Sequence, residues 1–147
     1  MCVLLFYLEK EKMNMFRICH KFTGRGVYSH NNYCEVNNLP YKDYWLDDIS
    51  AIHGSVNNRS RTPCTYEDEF LEVIGNDDGE FTIYGFESLD SLKRWFSFEE
   101  REILHQLGFQ ILSLEVENFI RYKRQMKISL TELHSSTLVE IINLSSV

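Results

Sequence analysis

YGFESLDSLKRWFSFEEREILHQLGFQILSLEV, from Tyr84 to Val116, is the stretch that decides the fold of this 147-residue chain. Phe81 to Phe86 reads as a strand interrupted by Gly85. Ser88 then supplies a helix N-cap, Asp90 and Ser91 sit in the first turn, and Leu89, Leu92, Trp95 and Phe96 make one apolar face. Ser97 opens a second helix, with Glu100 three residues on as in a capping box. Phe98, Ile103, Leu104 and Leu107 form its apolar face, and Gly108 stands just past its end. Phe109 to Val116 alternates, with Phe109, Ile111 and Ser113 on one face and Gln110, Leu112, Leu114 and Val116 on the other, as in a strand covered on both sides. Strand, helix, helix, strand predicts an α+β domain in which a small mixed or antiparallel sheet packs against a short helix pair. The second helix carries Glu99, Glu100 and Glu102 against Arg101, which disfavours the pair as a DNA reader.

Working upstream, residues 15–147 are expected to form one domain, and residues 1–14 an N-terminal extension or edge strand whose deletion costs little. The run from Met15 to Cys19 begins a strand. The Gly24–Arg25–Gly26 turn then predicts a hairpin returning through Val27 and Tyr28. Residues 29–64 hold both prolines and many asparagines and read as a variable loop region. Within it the spacing of Tyr41, Tyr44, Trp45, Leu46, Ile49 and Ile52 permits a short amphipathic helix. Working downstream, Phe119 to Tyr122 and Gln125 to Leu130 predict a basic hairpin. Leu133, Thr137, Leu138, Ile141 and Ile142 then allow a C-terminal helix, against the pull of the β-branched residues.

Composition narrows the function classes. The chain is 44% hydrophobic, has only two prolines, and carries a formal charge of −7. Its size suits one core of ordinary extent. The longest apolar run, Cys2 to Leu8, is far short of the twenty or so residues that span a bilayer, so no membrane association is expected. With no signal-peptide pattern at the start, the expected compartment is the cytoplasm. The four cysteines contain no CxxC pair and are expected as free thiols. Residues 65–117 hold fourteen acidic side chains against three basic ones, a balance that disfavours direct nucleic-acid binding.

Walker, dinucleotide-fingerprint, metalloprotease, zinc-finger and nucleophile-elbow motifs are all absent from the sequence, so no cofactor and no metal is expected. The candidate chemistry lies around the glycine turn, where Arg17, His20 and Tyr28 form a weak catalytic set suited to a phosphate or nucleotide. Glu99, Glu100 or Glu115 would supply a carboxylate that activates a hydroxyl. A metal pair of His30 with Cys34 would need one helical turn, and the surrounding Asn31, Asn32 and Tyr33 argue for a loop instead. The candidate interaction surface is acidic: Asp68, Glu69, Glu72, Asp77, Asp78 and Glu80, interleaved with aromatic residues, offer charge complementarity to a basic partner.

Phe16 to Tyr28, and still more the segment GF-x-SL-x-x-L-x-x-WF from Gly85 to Phe96 with the later Gly108–Phe109 pair, resemble short accessory proteins of tailed bacteriophages. The likeness covers about half of the chain. It implies structural roles for Gly85, Leu89, Leu92, Trp95, Phe96, Gly108 and Phe109. It also implies a small intracellular phage accessory protein, and the first functional expectation is a protein of the host-cell cytoplasm that binds and modulates a host protein. The alternatives are a nucleotide-binding or ADP-ribosyl-transferring enzyme using the first hairpin, and a virion or assembly component.

Overall fold

The computed structural model describes residues 12–53, 82–122 and 125–147. Along the chain run β1 (Met13–His20), α1 (His30–Val36), α2 (Tyr44–His53), β2 (Thr82–Phe86), α3 (Leu89–Trp95), α4 (Phe98–Gln106), β3 (Phe109–Val116), β4 (Ile120–Tyr122), β5 (Gln125–Ser129), α5 (Leu130–Ser135) and β6 (Thr137–Ile142), closed by a 3-10 turn at Leu144–Ser146. The strands form one antiparallel sheet in the order β4-β5-β2-β1-β3-β6, so the fold is α+β.

The sheet is two tight halves joined by a narrow seam. β1 pairs with β3 along its whole length, from Met13 opposite Val116 to His20 opposite Phe109. β2 is likewise fully paired with β5, from Thr82 opposite Ser129 to Phe86 opposite Gln125. Between β1 and β2 the register contains the single pair Phe16 and Phe86. Gly85 is what lets the two strands approach there. A Cβ at Gly85 would lie 2.6 Å from Met15 Cγ and 2.9 Å from the Phe16 carbonyl oxygen, closer than any side chain tolerates.

Alternation on the strands sends apolar residues to both faces. One face buries Ile18, Phe86, Phe109 and Ile111 against Leu46 and Ile49 of α2, Leu92 and Trp95 of α3, and Leu104 of α4. The other gathers Met15, Leu114, Val116, Met126 and Ile128, with Leu133 of α5 against them. The helix pair forms as its caps require. Ser88 accepts from the Ser91 N–H, and Ser97 and Glu100 make a reciprocal capping box. Arg101 then ties the two helices together by donating to the Phe96 carbonyl at 2.7 Å. Gly108 follows α4 with φ +96°.

The structure corrects the sequence reading in several places. The expected first hairpin does not form. The glycine turn is present, with Gly24 N–H donating to the His20 carbonyl and His20 N–H to the Arg25 carbonyl, but the chain continues into α1 and β1 finds its partners far away in β2 and β3. The segment around Asn31 to Tyr33 is helix α1 rather than loop. Its helicity is secured by tertiary bonds: the Asn31 side chain donates to the Asp43 carbonyl and accepts from the Asp43 N–H, which outweighs the weak helix propensity of asparagine. The amphipathic helix expected at Tyr41–Ile52 runs from Tyr44 to His53, and Asp43 accepts from the Trp45 N–H at its start. The C-terminal helix shrinks to α5, and the β-branched Thr137, Val139, Ile141 and Ile142 form β6 instead. Cys19 and Cys34 are buried free thiols. The acidic tract Asp68, Glu69, Glu72, Asp77, Asp78 and Glu80 lies outside the described residues.

Candidate functional site

A cavity of about 200 Å³ opens at the seam of the sheet. β1 contributes Arg17 and Ile18 to its wall and β2 contributes Ile83 to Phe86. Gly26 to Ser29 close one side, Trp95 and Phe96 another, and Gln125 of β5 completes the lining. The cavity exists because β1 and β2, held at Phe16 and Phe86, do not pair beyond that point. Apolar and aromatic groups dominate the wall, with a few polar groups set among them, as in small-molecule sites generally.

Arg17 is the charged group of the cleft. It is 8% exposed, and its guanidinium donates to the Gly24 carbonyl at 2.8 Å. Burial is the main force lowering its pKa, opposed by Cys19 and reinforced by Arg25; the group nonetheless stays protonated. No carboxylate pairs with it among the described residues. Gln125 adds an unmatched polar atom, since its Oε1 is buried without a hydrogen-bond partner.

Tyr28 stands at the head of a hydrogen-bonded chain. Its hydroxyl oxygen accepts from the Trp95 indole N–H at 2.6 Å, and its O–H donates to His53 Nδ1 at 2.6 Å. His53 Nε2 in turn contacts Glu100 Oε2 at 2.8 Å. Because the carboxylate only accepts, Nε2 carries the proton and Nδ1 is left to accept from Tyr28. The other oxygen of Glu100 is the one that accepts from Ser97 N–H in the capping box. One carboxylate thus caps a helix and fixes the tautomer of a histidine on another helix.

His20 belongs to a different cluster. Its ring stacks on that of His30 with centroids 4.4 Å apart. His20 Nε2–H donates to the Leu107 carbonyl at 3.1 Å, and Nδ1 accepts from Phe22 N–H at 3.1 Å and Thr23 N–H at 3.4 Å. His30 is held the same way, with Nε2–H on the Tyr41 carbonyl and Nδ1 accepting from the Thr23 hydroxyl. Gly108 admits the ring: a Cβ there would sit 2.9 Å from His20 Nε2. His30 and Cys34 do share a helical turn, with Sγ 3.5 Å from Nε2, and among the described residues no three His, Cys, Asp or Glu converge as a metal would require.

Of the three side chains expected to work together, the cleft therefore unites Arg17 and Tyr28 and leaves His20 out. His20 is left out because it ends β1, where the Leu107 carbonyl and the Phe22 and Thr23 N–H groups hold its ring. Glu100 was one of three carboxylates considered from sequence. His53 was not a candidate, because no local pattern links it to a tyrosine and a glutamate so far away along the chain.

Comparison with known proteins settles the lineage. The family model described as Bacteriophage T4 Y00F protein matches residues 13–143. The chain belongs to that phage protein family. No curated protein and no solved structure matches it. The match runs through the seam, both histidine clusters and the helix pair, so the cleft is built within the family region. Among the described residues no helix is long and apolar enough to cross a membrane.

Proposed function

We propose that this phage accessory protein binds a small, ring-bearing anion of the nucleotide class in the seam cleft. The observation that carries the reading is Arg17, a buried guanidinium lining the cavity with no carboxylate beside it among the described residues. Holding a desolvated cation without a counter-charge costs several kcal/mol, which an incoming phosphate or carboxylate offsets. Tyr28, Tyr84, Trp95 and Phe96 in the wall supply faces on which a base stacks. A volume near 200 Å³ suits one ring and its phosphate better than the dinucleotide that ADP-ribosyl transfer needs, since even drug-sized ligands fill about 300 Å³ or more. Calorimetric titration with nucleoside monophosphates tests this. The wild type is expected to bind saturably and Arg17→Gln to bind about 10- to 100-fold more weakly, the worth of a charge-assisted hydrogen bond. Equal binding by both proteins, or none by the wild type, contradicts it.

A second reading has its own support. β6 is an edge strand on which Leu138, Val139 and Ile141 are each more than half exposed. An edge of this kind is a template for strand addition by another chain, in keeping with a protein that binds and modulates a host protein. A stoichiometric host partner, captured by tagged wild type and lost on Leu138→Lys with Ile141→Lys, is the expected result. Capture unchanged by the two lysines removes β6 as the docking edge.

A further inference from the structure

Resting on the cleft reading, we propose that Tyr28 is a nucleophile that accepts a nucleotidyl group, with His53 as its base and Glu100 as the residue that positions the base. Three observations meet here. The hydroxyl donates to an imidazole nitrogen at 2.6 Å, and the imidazole is fixed in that tautomer by a buried carboxylate at 2.8 Å. This is the nucleophile, base and orienting acid of hydroxyl-activating sites, assembled from three separate elements. Tyr28 is nevertheless 48% exposed and lines the same cavity as Arg17. The Trp95 N–H that donates to the phenol oxygen at 2.6 Å stabilises negative charge as it develops there. A tyrosine serving only to join helices would need neither the exposure nor a place in the wall of a cavity that also holds a buried guanidinium.

The electrophile this arrangement suits is the α-phosphorus of a nucleoside triphosphate whose ring and α-phosphate occupy the cavity and whose two outer phosphates extend from its mouth. Tyr28 Oη attacks it, and the Oη–P bond forms as the bond from that phosphorus to the bridging oxygen breaks. Diphosphate leaves with the electron pair. The phenol proton passes to His53 Nδ1, and the resulting imidazolium is balanced by Glu100. Arg17 holds the non-bridging oxygens through the reaction.

The test incubates the full chain with ATP as its magnesium salt and maps the product by peptide mass spectrometry, alongside calorimetric binding of AMP. The wild type is expected to gain one nucleotidyl group on the peptide containing Tyr28, and Tyr28→Phe to gain none. Glu100→Gln keeps an acceptor for the helix cap but turns an N–H toward His53, forcing the wrong tautomer. It should bind AMP as the wild type does yet form the adduct at least about 100-fold more slowly, as expected when the orienting carboxylate of a triad is replaced by its amide. AMP binding with no adduct on Tyr28 overturns this inference and leaves the cleft reading standing. Absence of both overturns the two together. An adduct formed by Glu100→Gln at the wild-type rate removes His53 and Glu100 from the chemistry.

Discussion

His20 and His53 are each 2% exposed, yet His20 gives its ring N–H to a backbone carbonyl and His53 gives its own to a carboxylate. The partner decides what each can do. A carbonyl holds a neutral imidazole in place and offers little to an imidazolium, so the His20–His30 stack, with backbone donors aimed at its remaining nitrogen, is a fastener between the β1 turn and the end of α4. A carboxylate stabilises the imidazolium, so His53 is able to take a proton from whatever its other nitrogen touches. That group is Tyr28, on the wall of the seam cleft that also holds Arg17. Two equally buried histidines in one small domain thus differ in chemical capacity because of their second nitrogen.

The most damaging way to break this comparison is Glu100→Ala. It removes a helix cap and the charged partner of His53 together, and should destabilise the protein by about 3 kcal/mol, measured as a fall in urea midpoint. On the other cluster, Gly108→Ala forces a Cβ onto His20 Nε2 at a positive φ and should cost about 2 kcal/mol, read the same way. Acidification sharpens the contrast. Burial, with His30 and Lys21 adding to it and the Leu107 hydrogen bond opposing it, holds His20 below the ordinary imidazole range. The unfolded chain takes up that proton near pH 6.5 while the folded chain resists it. The His20 contribution is therefore complete above pH 6.5 and is lost as pH falls below it, by up to about 1.4 kcal/mol per unit. Denaturation midpoints between pH 7.5 and 5 check the sign. The smallest expected effect is Thr23→Val, which takes the hydroxyl from His30 Nδ1; it should cost about 1 kcal/mol and leave binding in the seam cleft unchanged.

What the sequence disclosed follows the range over which its signals act. The Ser97–Glu100 box, the Ser88 cap, Gly108 and the two faces of β3 were legible because each is a pattern within a few residues. The second duty of Glu100 was not, since its contact with His53 spans 47 residues and no spacing rule reaches that far. α1 escaped for a related reason, its asparagines being held helical by Asp43 on the neighbouring segment. At the C-terminus a three-and-four spacing suggested a helix, while the β-branched side chains favoured the open edge that β3 offered. The glycine turn did mark Arg17 and Tyr28. The cleft itself comes from the lapse of pairing between β1 and β2, a property of the sheet as a whole.

The most direct test of the seam cleft uses the two tryptophans as an internal control. Trp95 lines the cavity and Trp45 lies outside it, so a titration of nitrogen-15-labelled protein with AMP reports on both indole N–H resonances at once. The account predicts a saturable shift of the Trp95 indole and the Arg17 side chain with the Trp45 indole unmoved. Stationary Trp95 and Arg17 signals throughout a millimolar titration would contradict it.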